Sequence, residues 1–142
     1  MLLTCCLSCK ESNEFHVSSF IQAESSPQPS HNKDFWNQGV LAYNKGDYSI
    51  AFQYWDRLSF ENNTRDTLIF YKAIASSQLE NWDIAIQHLN RISFKSPFYE
   101  RALLYKSLNY YMKGDTKQYQ RLLDQVKDKD LPLYNIAKNV KS

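Results

Sequence analysis

The chain has 142 residues, with 17 Lys and Arg against 15 Asp and Glu, 15% aromatic residues, and only three Gly and four Pro. That length holds one domain or one short array rather than two independent folds. Few chain breakers and many large apolar side chains exclude disorder along the whole chain, and a net charge of +2 with no Lys/Arg run longer than two offers no basic stripe for nucleic acid.

Residues 1–9, Met1-Leu2-Leu3-Thr4-Cys5-Cys6-Leu7-Ser8-Cys9, form an apolar, small-residue run followed by polar Lys10-Glu11-Ser12-Asn13-Glu14. The run is too short to span a bilayer, which takes about 20 residues. It holds all three cysteines, so the rest of the chain has none for a disulfide or a thiolate metal site. It resembles the end of a bacterial lipoprotein signal, in which an apolar stretch ends in a small residue and then a cysteine that is lipidated. The resemblance puts the lipid on Cys9 and implies a protein tethered to the periplasmic side of a cell envelope. Two features depart from that pattern: no basic residue precedes the apolar run, and Cys6 stands where the family prefers Leu or Val. The alternatives are a plain apolar N-terminus on a cytoplasmic protein, a palmitoylated cysteine cluster, or a Cys-Cys-x-x-Cys redox or metal site. The last would need a fourth ligand, and the nearby imidazole is His16.

Residues 10–32 are rich in Ser, Asn, Gln and Glu, and Ser26-Pro27-Gln28-Pro29-Ser30 breaks any helical period. They read as a flexible polar tether, in which Phe15, Val17, Phe20 and Ile21 offer a short apolar docking stretch. His16 and His31 stand in it as isolated histidines.

From residue 33 onward the sequence repeats itself. Gly46-Asp47-Tyr48-Ser49-Ile50-Ala51 recurs as Glu80-Asn81-Trp82-Asp83-Ile84-Ala85 and, more weakly, as Gly114-Asp115-Thr116-Lys117-Gln118-Tyr119, at a spacing of 34 residues. Other columns keep step: Gly39, Ala73 and Ser107; Trp55, Leu89 and Leu123; Leu58, Ile92 and Val126. The first of these columns is small, as needed where one helix crosses close to its partner. Trp55, Leu89 and Leu123 follow Ala51, Ala85 and Tyr119 by four residues, and so share a helical face that fills the core. Gly46-Asp47 and Gly114-Asp115 supply a left-handed helix end followed by a cap for the next helix. Helices are predicted at about 33–45, 48–60, 66–79, 82–94, 98–112 and 116–127, the fifth opened by Ser96 and first-turn Pro97. A last helix from Pro132 carries Leu133, Ile136, Ala137 and Val140 on one face, suited to covering the end of an array.

These columns resemble the tetratricopeptide repeat family over residues 32–142. The resemblance implies an all-α fold, an α-solenoid of about three helix-turn-helix repeats (32–65, 66–99 and 100–131) with a capping helix at 132–142. Gln38 departs from the Leu that the family prefers beside the glycine. Tyr119 departs from its alanine, which predicts splayed helices in the third repeat or a copy serving as a cap.

In that family the first helices line a concave groove that holds an extended peptide or a partner helix. Carried over, the groove would present Trp36, Val40, Tyr43 and Asn44, then Thr67, Phe70, Ile74 and Gln78, then Arg101, Leu104, Leu108, Tyr111 and Met112. Trp36 and Val40 replace the Lys and Asn with which the family's chaperone-binding members grip a C-terminal carboxylate. The expected ligand is therefore an apolar or amphipathic protein segment. The open alternative is that the terminal helix or Phe15–Ile21 covers this face, leaving a structural or self-associating repeat protein.

Nothing in the sequence points to an enzyme, cofactor or metal. His88 stands beside Gln87 and Leu89 with no carboxylate partner in view, and phosphate loop, zinc-spaced pair and nucleophile elbow are all missing. Asp128 and Asp130 belong to a solvated Lys-Asp-Lys-Asp turn, and Asn62-Asn63-Thr64 is a glycosylation sequon of low specificity. An RNA-binding helical-pair repeat would show a 35-residue period and a basic groove, and this chain has neither.

Overall fold

The computed structural model describes residues 26–30, 34–58 and 65–140, and in these the chain forms seven α-helices and no strand. Cys9, the apolar stretch Phe15–Ile21 and the sequon at residues 62–64 lie outside the described residues. The helices are α1 (Asp34–Asn44), α2 (Tyr48–Asp56), α3 (Arg65–Gln78), α4 (Trp82–Leu89), α5 (Tyr99–Met112), α6 (Thr116–Gln125) and α7 (Pro132–Lys138). None of them is long and apolar enough to cross a membrane.

One turn is used three times. After α1, Gly46 enters the left-handed region (φ 83°); its N–H meets the Tyr43 carbonyl at 2.9 Å, and the Asp47 N–H meets the Ala42 carbonyl at 2.9 Å. This pair of bonds satisfies carbonyls that the helix end would otherwise orphan. The same pattern follows α3 at Glu80 (φ 58°) and α5 at Gly114 (φ 82°), with Asn81 bonded to Ser76 and Asp115 to Tyr110, each at 2.9 Å. The caps predicted for the next helices form only in part. Asp115 Oδ1 accepts from the Gln118 N–H at 3.0 Å, whereas Asp47 and Asn81 hold the N-cap position without a side-chain bond.

Boundaries differ from expectation at three places, the first being α2, which stops at Asp56 rather than near residue 60. α4 stops at Leu89 rather than near residue 94, and α5 starts at Tyr99, behind a turned stretch that contains Pro97. Ser96 does not cap the helix from its first position. Its Oγ accepts from the Phe98 N–H at 3.2 Å, and Phe98, at the N-cap, gives its carbonyl to Ala102 at 2.8 Å.

Neighbours in sequence are neighbours in space: α1 packs on α2, α3 on α4 and α5 on α6, while α2–α3 and α4–α5 join the pairs and α7 lies on α5. The small column explains the closest approach. A Cβ built on Gly39 would stand 2.1 Å from Nε1 of Trp55, a ring with no exposed surface. The expectation of splayed helices at Tyr119 is not met, since α6 lies against α5 at least as fully as the other partners pair. The Tyr119 ring turns toward Tyr111, with centroids 5.4 Å apart, and its hydroxyl donates to the Ala137 carbonyl at 2.6 Å. The large residue in the alanine slot thus ties α6 to α7.

Candidate interaction face on the first helices

The face expected to bind a partner is carried by α1, α3 and α5. Large aromatics at helical spacing on α1 and α3 converge on one ring from α2. Trp36 stacks on Trp55 at 5.4 Å, Tyr43 lies 5.7 Å from Trp55, and Tyr71 meets Trp36, Tyr43 and Trp55 at 6.2, 6.0 and 6.3 Å. Edge and tilted contacts at such distances add to the apolar burial itself. Between α3 and α5, Phe70 meets Tyr105 edge-on at 5.4 Å and Phe98 at 4.9 Å, with the Arg101 guanidinium 5.3 and 4.6 Å from the Phe70 and Phe98 centroids. A buried polar link fixes the two helices in register: Ser77 Oγ lies 3.0 Å from Asn109 Oδ1, and Asn109 Nδ2 donates to the Tyr105 carbonyl at 2.7 Å.

The segment before α1 is held against this face. Trp36 Nε1–H donates to the Gln28 carbonyl at 2.7 Å, and Pro27 is fully buried. The Asn37 carboxamide takes both main-chain groups of Ser30: its Oδ1 accepts from the Ser30 N–H at 2.8 Å and its Nδ2 donates to the Ser30 carbonyl at 2.9 Å. So residues 26–30, part of the stretch read as a tether, are docked on α1 by contacts to main chain. Asn37 was missed by the sequence reading because one Asn on a helix carries no signal of a partner seven residues back.

Seven of the thirteen residues assigned to the groove are interior: Trp36, Val40, Tyr43, Phe70, Ile74, Leu104 and Leu108. The structure brings them together, but as covered side chains rather than as an open lining. The physical reason is that α3 is buried continuously from Leu68 to Ser77, on every side of the helix, and α5 nearly so. Asn44 is exposed, while Gln78, Arg101, Tyr111, Thr67 and Met112 are half-buried along the edge of the same face.

His88 has company that the linear sequence hides. Its ring lies 5.7 Å from Phe52 of α2, close to Lys72 and Asp56, and Lys72 Nζ bonds Asp56 Oδ1 at 2.6 Å while lying 4.7 Å from the Phe52 centroid. Burial above all, and then the Lys72 and Arg91 charges, push the His88 imidazole down to about 4, so it is neutral at pH 7. Asp56 opposes this only weakly. Its own carboxyl is held low by the Lys72 hydrogen bond and charge. The cluster joins α2, α3 and α4. Among the described residues no group of three or more His, Cys, Asp and Glu is placed to hold a metal ion.

No protein-family model matches this chain, no curated protein matches it, and no solved structure matches it.

Proposed function

We propose that this chain is a non-enzymatic protein-interaction scaffold, a short tetratricopeptide-type solenoid closed by α7, that holds a peptide or amphipathic helix along its first helices. The observation that carries the reading is the docking of residues 26–30. A face that pairs a tryptophan N–H with one carbonyl, and an asparagine carboxamide with both main-chain groups of Ser30, is built to hold extended chain. The turn repeated at residues 46, 80 and 114 supports the repeat architecture. Asn44, Gln78, Arg101 and Tyr111 border the face where an incoming segment would first touch.

A second reading, a structural repeat protein whose face is permanently covered, is favoured by the burial of the seven interior residues. Attachment to a cell envelope through a lipid on Cys9 belongs to the first reading, and mass spectrometry of the N-terminal peptide tests it by the added lipid mass.

Photo-crosslinking in the native host decides between the two. With p-benzoylphenylalanine at Asn44, one dominant adduct to another protein, lost when Arg101 is replaced by Glu in a folded chain, supports the scaffold. Adducts confined to this chain would leave the structural reading standing.

A further inference from the structure

Resting on the reading of this face as one that holds peptide, we propose that its ligand is a proline-rich segment of another protein in the polyproline II conformation. That segment would sit at Trp36 and Asn37, where the chain's own Ser26-Pro27-Gln28-Pro29-Ser30 now lies.

The resident segment shows which backbone the site takes. Pro27 and Pro29 fix their own φ near −65°, and each pushes the residue before it, Ser26 or Gln28, into the extended region. Burial along the segment has a period of three: Pro27 is fully buried, Gln28 and Pro29 are exposed, and Ser30 is half-buried again. Three residues per turn is the polyproline II period. A β-strand would instead turn Pro29 inward, two positions after Pro27. Among the described residues, 26–30 make no main-chain to main-chain hydrogen bond, so their peptide groups are offered to side chains.

The side chains that hold the segment read that backbone. Trp36 Nε1–H donates to the Gln28 carbonyl at 2.7 Å, and the Asn37 carboxamide takes the Ser30 N–H at 2.8 Å and its carbonyl at 2.9 Å. The interior of a helix spends these groups on itself, so an amphipathic helix laid on this spot cannot make the same three bonds. Trp36 is stacked on Trp55 at 5.4 Å and meets Tyr71 edge-on at 6.2 Å. The donor thus stands on a fixed aromatic wall, the kind of surface on which proline-rich ligands dock.

The two inward positions have different requirements. Pro27 brings no N–H into its buried place, so its burial orphans no donor. Position 30 has to keep its N–H for Asn37 Oδ1. The ligand pattern that follows is Pro-x-x-z, where the x side chains face solvent and z is any residue except proline. Only residues 31–33 separate Ser30 from α1, so the resident copy acts at an effective concentration on the order of 1 mM. An outside ligand exchanges with it.

The test is NMR of the full, isotope-labelled chain with three synthetic probes. They are the peptide of residues 24–32, the same peptide with Pro27→Ala, and the same peptide with Ser30→Pro. The host is a Pro27→Asp variant of the full chain, whose own segment is expected to leave, seen as a shift of the Trp36 indole N–H resonance. The parent peptide should bind that host at least tenfold more tightly than it binds the unaltered chain. It should also bind the host at least tenfold more tightly than either altered peptide does. The unaltered chain gives a second measurement that does not depend on the variant folding. There the parent peptide, on the order of 10 mM to outcompete the tether, should shift the Ser30 amide resonance, and the altered peptides should not. No binding to a folded host, equal binding of the three peptides, or a dimer in sedimentation that exchanges residues 26–30 between copies would each overturn the proposal. Outside adducts from Asn44 beside peptides that bind equally or not at all would overturn it alone and leave the scaffold reading standing.

Discussion

Replacing Gly39 with Ala examines the packing at the heart of the first helix pair. The added Cβ would sit 2.1, 2.5 and 2.6 Å from Nε1, Cδ1 and Cε2 of Trp55, all well inside contact distance. The indole has nowhere to retreat: it is fully buried, stacked on Trp36 at 5.4 Å and flanked by Tyr43 at 5.7 Å. Moving the ring also breaks the bond from Trp55 Nε1–H to the Trp36 carbonyl, now 3.2 Å. Overpacking costs about 1–3 kcal/mol, and a buried donor left unsatisfied about 1–3 more. Against these stands a helix-propensity gain of about 1 kcal/mol for Gly→Ala. The net is a loss of roughly 1–5 kcal/mol, or, at its middle, a fall in the thermal midpoint on the order of 10 °C for a domain of this size. Far-UV circular dichroism on heating measures it. The second repeat supplies the control, since there the same two slots hold Ala73 and Leu89. In a Gly39→Ala/Trp55→Leu double variant the clash is gone, so the Ala substitution should cost nothing beyond Trp55→Leu alone. The coupling energy should then reach about 2 kcal/mol or more. A Gly39→Ala protein as stable as the parent, or strictly additive single variants, would refute the reasoning.

Four further outcomes are expected. Glu80→Gly relieves a left-handed position (φ 58°) that Gly46 and Gly114 fill in the matching turns; it should stabilise by about 0.5–1 kcal/mol after the entropy of the freer chain is subtracted, and an unchanged thermal midpoint would deny that strain. Tyr119→Phe removes the hydroxyl bonded to the Ala137 carbonyl. That carbonyl keeps the Val140 N–H at 3.3 Å, so the cost should be only about 1 kcal/mol, read as faster amide exchange confined to α7. Because the folded protein depresses His88 from 6.5 to about 4, the unfolded chain binds the proton first, and stability should fall as pH drops from about 6.5 to 4. Screening at a half-buried ring brings the effect to on the order of 1 kcal/mol, and a His88→Phe variant whose stability falls equally over that window would contradict it. Asn37→Ala removes both bonds to Ser30; amide exchange at residues 26–30 should quicken about tenfold or more, and unaltered exchange would mean that Trp36 and Pro27 alone hold the segment.

Much of the architecture is legible because it depends on residues close in sequence. Gly46 and Gly114 announce left-handed turns, and their 34-residue register leads to Glu80, where the sequence alone shows no reason for positive φ. The small column at Gly39, Ala73 and Ser107 marks helix contact, and Gly39 turns out to be required by the bulk of Trp55. What failed locally was finer. Asp47 and Asn81 are good cap types in the same turn as Asp115, yet only the Asp115 side chain makes the cap bond. Ser96-Pro97 resembles a helix start, but the main-chain bond from Ala102 to Phe98 puts the N-cap two residues later, at Phe98. Tyr119 looked like a misfit in its own pair because its acceptor, Ala137, belongs to another helix.

The face itself was legible in position and not in state. Period 3.6 says which residues share a stripe, so Phe70 and Ile74, or Leu104 and Leu108, are correctly grouped. It cannot say whether solvent, a partner or the same chain lies over the stripe, because that depends on segments far away in sequence. His88 teaches the same lesson from the second helices, since Asp56, Phe52 and Lys72 lie 32, 36 and 16 positions before it. In both places a residue that reads as available when taken alone is spoken for across the fold. At Trp36 and Asn37 the occupant is visible, and it is the chain's own backbone. Under the scaffold reading proposed above, a partner on this face would compete first with residues 26–30, joined covalently to it.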